Sequence, residues 1–341
     1  MKQITAILTL TILLTSIGTC ATMGNWQGAP AGDANKPAGS GNWTDPYWNN
    51  PPVALPAAPG MAGYEIKVTK PGSSCMVGSD VGAYDCILSI GGGADLGTAA
   101  KVEIAEGGNI GMNEVRVGAG GSASSGAIGF LNQTGGTMTL NGKVFIGRFG
   151  TSSTNPNEGK GFYSVSGGTL ACTAAADGGM YIGAAGSYGA AEGTFTVAGK
   201  SGKINLKKLY VGSDGKKGKG NGTIEFELES DGVSAIKIAD GVYLDLSGEG
   251  SKAMLVVNAD AAAPKADIML IETEGSGPVT GEFDTVNTVE GTEGAEVVLK
   301  ATDGSYHYKL TYTGGNGNDI MLKFGKFEPA AAEAAEPNAA K

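Results

Sequence analysis

An apolar triplet closed by glycine recurs through the middle of this chain. It reads Val115-Arg116-Val117-Gly118, Val144-Phe145-Ile146-Gly147, Met180-Tyr181-Ile182-Gly183 and Leu209-Tyr210-Val211-Gly212, with a degenerate fifth at Val242-Tyr243-Leu244-Asp245. The four glycines are 29, 36 and 29 residues apart. A second signature precedes the four triplets: Gly107-Gly108-Asn109-Ile110, Gly135-Gly136-Thr137-Met138, Gly167-Gly168-Thr169-Leu170 and Ser201-Gly202-Lys203-Ile204. A third, a short alternating strand, leads each unit: Phe130-Leu131-Asn132-Gln133, Phe162-Tyr163-Ser164-Val165, Thr194-Phe195-Thr196-Val197 and Ile224-Glu225-Phe226-Glu227. Three features in one order at near-constant spacing mark an internal repeat.

That pattern restricts the fold. Each unit offers about three short strands of period-2 patterning separated by glycine corners. Such a unit has no core of its own. It must bury its inward Val, Ile, Leu and Phe against the next coil, about 4.8 Å along a common axis. The predicted fold is therefore all-β, a parallel β-solenoid. A propeller is the competing architecture, but its blades need about 40 or more residues and four strands. Variable segments follow the triplet glycine at Arg148 to Lys160, Ala184 to Glu192 and Ser213 to Asn221, which predicts loops projecting from one corner.

Composition agrees. Glycine supplies 59 of 341 residues, more than twice the usual share, as many tight turns require. Net charge is −10. An acidic surface is repelled by nucleic acid phosphates, so nucleic acid is excluded as a partner. Arg116 and Arg148 are the only arginines, which disfavours bidentate phosphate recognition.

Residues 1–21 read as a secretory signal: Lys2, an apolar run from Ile4 to Ile17, and a small-x-small site at Thr19-Cys20-Ala21. The rival reading is a lipoprotein anchored at Cys20, although Thr19 departs from the usual lipobox. No later apolar run is long enough for a transmembrane span in the mature chain. Residues 22–60 are loop-rich. They carry Gly41-Asn42-Trp43-Thr44-Asp45-Pro46-Tyr47-Trp48, where Trp43 and Trp48 cap the end of a stack or, alternatively, form a carbohydrate-stacking platform. The repeats occupy 61–260. Strands over 261–325 form an antiparallel β cap, with Tyr306, Tyr308, Leu310 and Tyr312 alternating against His307, Lys309 and Thr311. The tail, 326–341, is Ala-, Glu- and Pro-rich and reads as disordered.

The segment Tyr308-Lys309-Leu310-Thr311-Tyr312-Thr313-Gly314-Gly315-Asn316-Gly317-Asn318-Asp319-Ile320-Met321-Leu322 resembles the closing strands of many secreted bacterial β-helix proteins. The Gln133-Thr134-Gly135-Gly136-Thr137 and Val165-Ser166-Gly167-Gly168-Thr169 corners, each followed by a triplet and Gly, are similar too. The resemblance spans about residues 41 to 325. It is to the autotransporter-passenger-like repeat proteins, often PEP-CTERM-associated and common in planctomycete-type bacteria. It implies a right-handed parallel β-helix outside the cell or at its surface, and no particular activity. The chain carries neither an autotransporter barrel nor a sorting tail.

Chemistry-bearing residues are sparse. His307, the only histidine, lies on a polar strand face and reads as solvated rather than as a base. Residues 314–322 fit a single calcium nonapeptide with Asp319 as its ligand, but that site needs tandem copies, so a glycine-rich hairpin turn is the better reading and no metal is assigned. Cys75 and Cys86 lie eleven apart and are the disulfide candidates in an exported chain, leaving Cys172 over. Lys200, Lys203, Lys207, Lys208, Lys216, Lys217 and Lys219 place seven lysines within twenty residues. Lys207, Lys208, Lys216 and Lys217, with Trp43 and Trp48, are the candidate binding residues, and the partner would be a glycan or a neighbouring surface protein. No cofactor and no catalytic residue are indicated. The expected function is a non-catalytic structural or adhesive protein; the alternative is a polysaccharide-active β-helix lyase or glycosidase.

Overall fold

The computed structural model describes residues 21–26, 40–44, 48–49, 64–92, 96–118, 127–148, 159–172, 178–183, 190–212, 219–244, 250–274 and 277–330. It is an all-β parallel solenoid closed by antiparallel strands at its C-terminal end. Two sheets, one of 16 strands and one of 9, form its walls. Among the described residues no helix is long and apolar enough to cross a membrane.

The triplets stack in register as the repeat requires. In the large sheet Ile66, Leu88, Val115, Val144, Met180, Leu209, Val242 and Val279 are successive partners along the axis. In the small sheet the matching inward ladder is Cys75, Val102, Leu131, Tyr163, Phe195, Ile224, Leu255 and Val286. Both ladders meet in one continuous core. Burying each such side chain contributes about 1.5–3 kcal/mol. Among the polar groups inside the core, Tyr163 and Gln133 are paired. Tyr163 Oη donates to Gln133 Oε1 at 2.8 Å, and Gln133 Nε2 donates to the Thr169 carbonyl at 2.9 Å, so a fully buried glutamine keeps its partners.

Two features differ from the expectation. The Gly-Gly strand and the triplet strand belong to one sheet, and in Asn109–Val117, Gly202–Val211 and Ile236–Leu244 they fuse into a single bent strand. The reason is that few residues separate the inward positions at the bend: two, Lys207 and Lys208, between Leu206 and Leu209, and three between the aligned Ile238 and Val242, where the register shifts by one. So short a link turns a corner without breaking the ladder on either side. In the preceding coil seven residues lie between the aligned Cys172 and Met180, so part of the long 36-residue spacing arises at this bend rather than after the triplet glycine. The parallel ladders also run past residue 260, through Ile271 and Val286.

The glycine corners work by close approach. Gly183 has φ 68°, and a Cβ on it would lie 2.3 Å from the Asn221 carbonyl oxygen in the neighbouring coil. Gly118, Gly147 and Gly212 repeat this arrangement against Lys160, Glu192 and Lys252. A second row, Gly129, Gly161, Gly193 and Gly222, is paired in register, and a Cβ on each would meet the backbone nitrogen of Gly118, Gly147, Gly183 or Gly212 within 2.7 Å. Two rows of glycine therefore let the two sheets meet at one corner.

Trp43 lies beside Ser74–Val77, the terminal strand of the small sheet. It is 4% exposed, donates its indole N–H to Tyr84 Oη at 3.1 Å, and its backbone N–H bonds the Met76 carbonyl. At the other end Ile268–Thr273 pairs antiparallel with Asp319–Pro329, which continues into Gly304–Gly314 and Glu296–Ala301. Tyr306, Tyr308, Leu310 and Tyr312 are buried as the alternation requires. Their phenols fasten the cap: Tyr308 donates to the Pro264 carbonyl, and Tyr312 donates to the Gly291 carbonyl while accepting from the Phe283 N–H.

Candidate functional site

The outer face of the large sheet, on the triplet side of its bend, carries an aromatic and cationic ladder. The middle residue of each triplet points outward, so Arg116, Phe145, Tyr181, Tyr210 and Tyr243 are successive partners. Phe145 and Tyr181 stack at 4.9 Å, Tyr181 and Tyr210 at 4.5 Å, and Tyr210 and Tyr243 at 4.7 Å. The Arg148 guanidinium covers the free face of Phe145 at 4.1 Å, and Glu114 Oε1 binds both Arg116 and Arg148. Each inner ring thus has both faces occupied. Between Arg148 and Tyr243 the stack therefore offers ring edges outward rather than faces.

Lys143 and Lys208 flank this ladder in the adjoining row, with Gly179 and Gly241 aligned beside them. Lys143 Nζ lies 5.6 Å from the Tyr181 ring. Lys207 and Lys208 both face outward because they form the bend. Lys207 reaches Asp240 at 3.9 Å, and Lys200 reaches Asp231 at 3.4 Å, so the lysine run is partly neutralised rather than a bare strip. Lys216 and Lys217 lie outside the described residues. The side chain of Trp48 is likewise outside them, although its backbone pairs with Trp26. Trp43, being interior, has no exposed ring face for a carbohydrate.

The loop-bearing corner is adjacent. The Gly118, Gly147, Gly183 and Gly212 N–H groups each bond the coil before, to Ile90, Val117, Ile146 and Ile182 carbonyls. The chain re-enters the small sheet in register at Lys160, Glu192 and Asn221. The anchors of the variable segments therefore form a row, while the segments' tips lie outside the described residues.

A separate groove of about 530 Å³ runs between the small sheet and the cap. Glu227, Asn258, Asp260, Asn287, Thr288 and Lys300 supply its polar lining. Burial, with the Glu225 and Asp260 carboxylates nearby, pushes the Glu227 carboxyl above its ordinary range. Glu225 itself is held by Asn258 Nδ2 at 2.9 Å and Thr196 Oγ1 at 3.2 Å.

The remaining candidates have structural surroundings. Asp319 is 2% exposed. Its Oδ1 accepts from the Thr273 N–H at 2.7 Å and its Oδ2 from the Asn316 N–H at 3.1 Å, which locks the turn of the final hairpin. Among the described residues no three His, Cys, Asp or Glu gather as metal ligands. His307 is less solvated than its position on the polar face suggests, since Glu296 at 2.9 Å and Glu328 at 3.4 Å enclose its ring nitrogens. Cys75 lies inward on the small sheet and Cys86 inward on the large sheet, both as thiols, so their pairing is a proposal about the oxidised chain. Cys172 is a buried thiol pushed up to about 11, chiefly by desolvation.

Sequence reasoning missed the stacked ladder, although its signal stood in the middle position of every triplet. It missed the Glu227 groove because that lining joins residues far apart in the chain. No protein-family model matches the chain, and no curated protein or solved structure is significantly similar to it.

Proposed function

We propose that this chain is a non-catalytic extracellular or cell-surface structural and adhesive β-helix protein. It is exported by its N-terminal signal and displays loops and a lysine-bearing face to a glycan or a neighbouring surface protein. The observation that carries this reading is the row of triplet glycines. Four consecutive coils release and recapture the chain at one corner, each fixed by a backbone bond to the coil before. A stiff scaffold that spaces variable segments at one-coil intervals suits recognition, because loop positions are pre-set and little ordering entropy remains to be lost on binding. The resemblance to autotransporter-passenger-like repeat proteins supports an extracellular setting. The test is binding of the purified chain to cell envelopes and to immobilised acidic glycans, with wild type against the charge reversal Lys207→Glu, Lys208→Glu, Lys216→Glu and Lys217→Glu. Weaker binding of the reversed chain is expected; equal binding at low salt removes the lysines from the account.

A second reading, a polysaccharide-active enzyme, is favoured by the groove whose lining includes Glu227, Asp260 and Lys300. A carboxyl whose proton affinity is raised by a second carboxylate nearby is the equipment of a general acid. Turnover of a polysaccharide by the wild type, lost in Glu227→Gln, would establish it.

A further inference from the structure

On the other side of the bend the outer face of the large sheet sinks into an open trough of about 440 Å³, lined mainly by carbon with amides and hydroxyls at its walls and within the range of small-ligand sites. Its floor is made by residues too small to fill it. Gly82 and Ala83 lie in one coil and Gly111, paired with Ala83, in the next. A Cβ on Gly111 would stand 2.9 Å from the Ala83 Cβ, so the two backbones lie open side by side. One wall is the aligned row Asp80, Asn109 and Thr137; Asn141, at the bend, forms the other wall, and Thr139 closes one end. The trough crosses three coils, about 10 Å at one strand spacing each.

The state of these side chains separates the trough from other outward rows. On the small sheet the outer polar groups bond one another, as Ser164 does to Asn132 at 3.2 Å and Asn258 to Glu225 at 2.9 Å. Among the described residues Asn109, Thr137, Thr139 and Asn141 have no protein partner for their side chains. Asp80 alone is engaged, its Oδ1 accepting from the Gly82 N–H at 2.9 Å. Two amides and two hydroxyls, from adjacent strands, thus present both donors and acceptors into one channel.

We propose that this trough binds a neutral, linear oligosaccharide lying along the solenoid axis. Paired donor and acceptor groups on amide and hydroxyl side chains match the vicinal hydroxyls of a sugar, which also give and accept. The bare Gly82–Ala83–Gly111 floor admits a ring close to the sheet. An anionic glycan is disfavoured, since the one charge in the lining is Asp80 and no cation faces it. A peptide finds no large apolar side chain to pack on, because Ile110, the one in the lining, is 3% exposed. The site is distinct from the lysines and loops of the proposed display surface, so either assignment can fail alone.

The test uses the full chain with cellohexaose, maltohexaose, xylohexaose and chitohexaose as probes, measured by titration calorimetry. One of the four is expected to bind, with affinity that added salt leaves unchanged. Asn109→Ala with Asn141→Ala should weaken it about tenfold or more, two hydrogen bonds being lost. These side chains hold nothing in the fold, so the double variant should melt as wild type does. Thr139→Arg, which fills the channel, is the second variant and should abolish binding. No binding of any probe, or binding that both trough variants leave intact, overturns the proposal.

Discussion

Tyr181 and Tyr210 stack with ring centroids 4.5 Å apart and planes 4° from parallel. The geometry follows from register alone. Partner residues of parallel strands sit one strand spacing apart, and that spacing is close to the stacking distance of two rings. An aromatic at the middle of successive triplets therefore becomes a column without further design. Tyr210 has a ring on each side, so Tyr210→Ala should cost about 1–3 kcal/mol in urea denaturation. A loss no larger than that of an ordinary exposed alanine substitution would mean the column adds nothing to stability.

The glycine corner makes a sharper demand. Gly72 and Gly183 share a left-handed φ, 71° and 68°. Gly72 has nothing within 4 Å of a would-be Cβ, whereas Gly183 has the Asn221 carbonyl at 2.3 Å. Gly72→Ala should then lose only the conformational cost, about 1–2 kcal/mol. Gly183→Ala should lose about 2–5 kcal/mol or fail to fold, because neighbouring coils must move apart as well. Equal losses, read by chemical denaturation, would contradict the close-approach account.

Asp319 is expected to act as a structural clamp. Asp319→Ala leaves the Thr273 and Asn316 N–H groups without their acceptor and should destabilise the chain by about 2–4 kcal/mol. Calcium or a chelator should not shift the melting temperature of the wild type. A calcium-dependent rise would restore the ligand reading of the nonapeptide.

Glu227 gives a pH-dependent test. Its carboxyl is raised by burial and by Glu225 and Asp260, so its ionised form is less favourable folded than unfolded. Its contribution to stability is therefore largest below its unfolded pKa and is lost as pH rises through the folded value. Glu227→Gln should stabilise at about pH 7 by under about 1 kcal/mol, the group being solvent-screened. The gain should vanish near about pH 3, where the carboxyl is neutral in both states. Melting curves at the two pH values decide it.

The solenoid was legible because Val115, Val144, Met180 and Leu209 must all point inward, and inward residues repeat in kind as well as position. The cap alternation at Tyr306 to Tyr312 was legible for the same reason. The bend at Lys207 and Lys208 was not, since the strand resumes its pairing on both sides of a small register shift and no breaker residue marks it in the sequence. The Gly129, Gly161, Gly193 and Gly222 row looked like ordinary turn glycine; its role depends on backbone approaching from another coil. The Glu227 groove joins strands Lys219–Leu228 and Glu296–Ala301, a juxtaposition that local pattern does not encode.

The most direct test of a display scaffold is one assay with two readouts. The purified chain is incubated with a panel of acidic and neutral polysaccharides, while retention on each and release of shorter or unsaturated products are followed over time. Retention without product, equal for wild type and Glu227→Gln, is the expected result. Time-dependent product from the wild type that disappears in Glu227→Gln would contradict the scaffold reading and make the groove an active site.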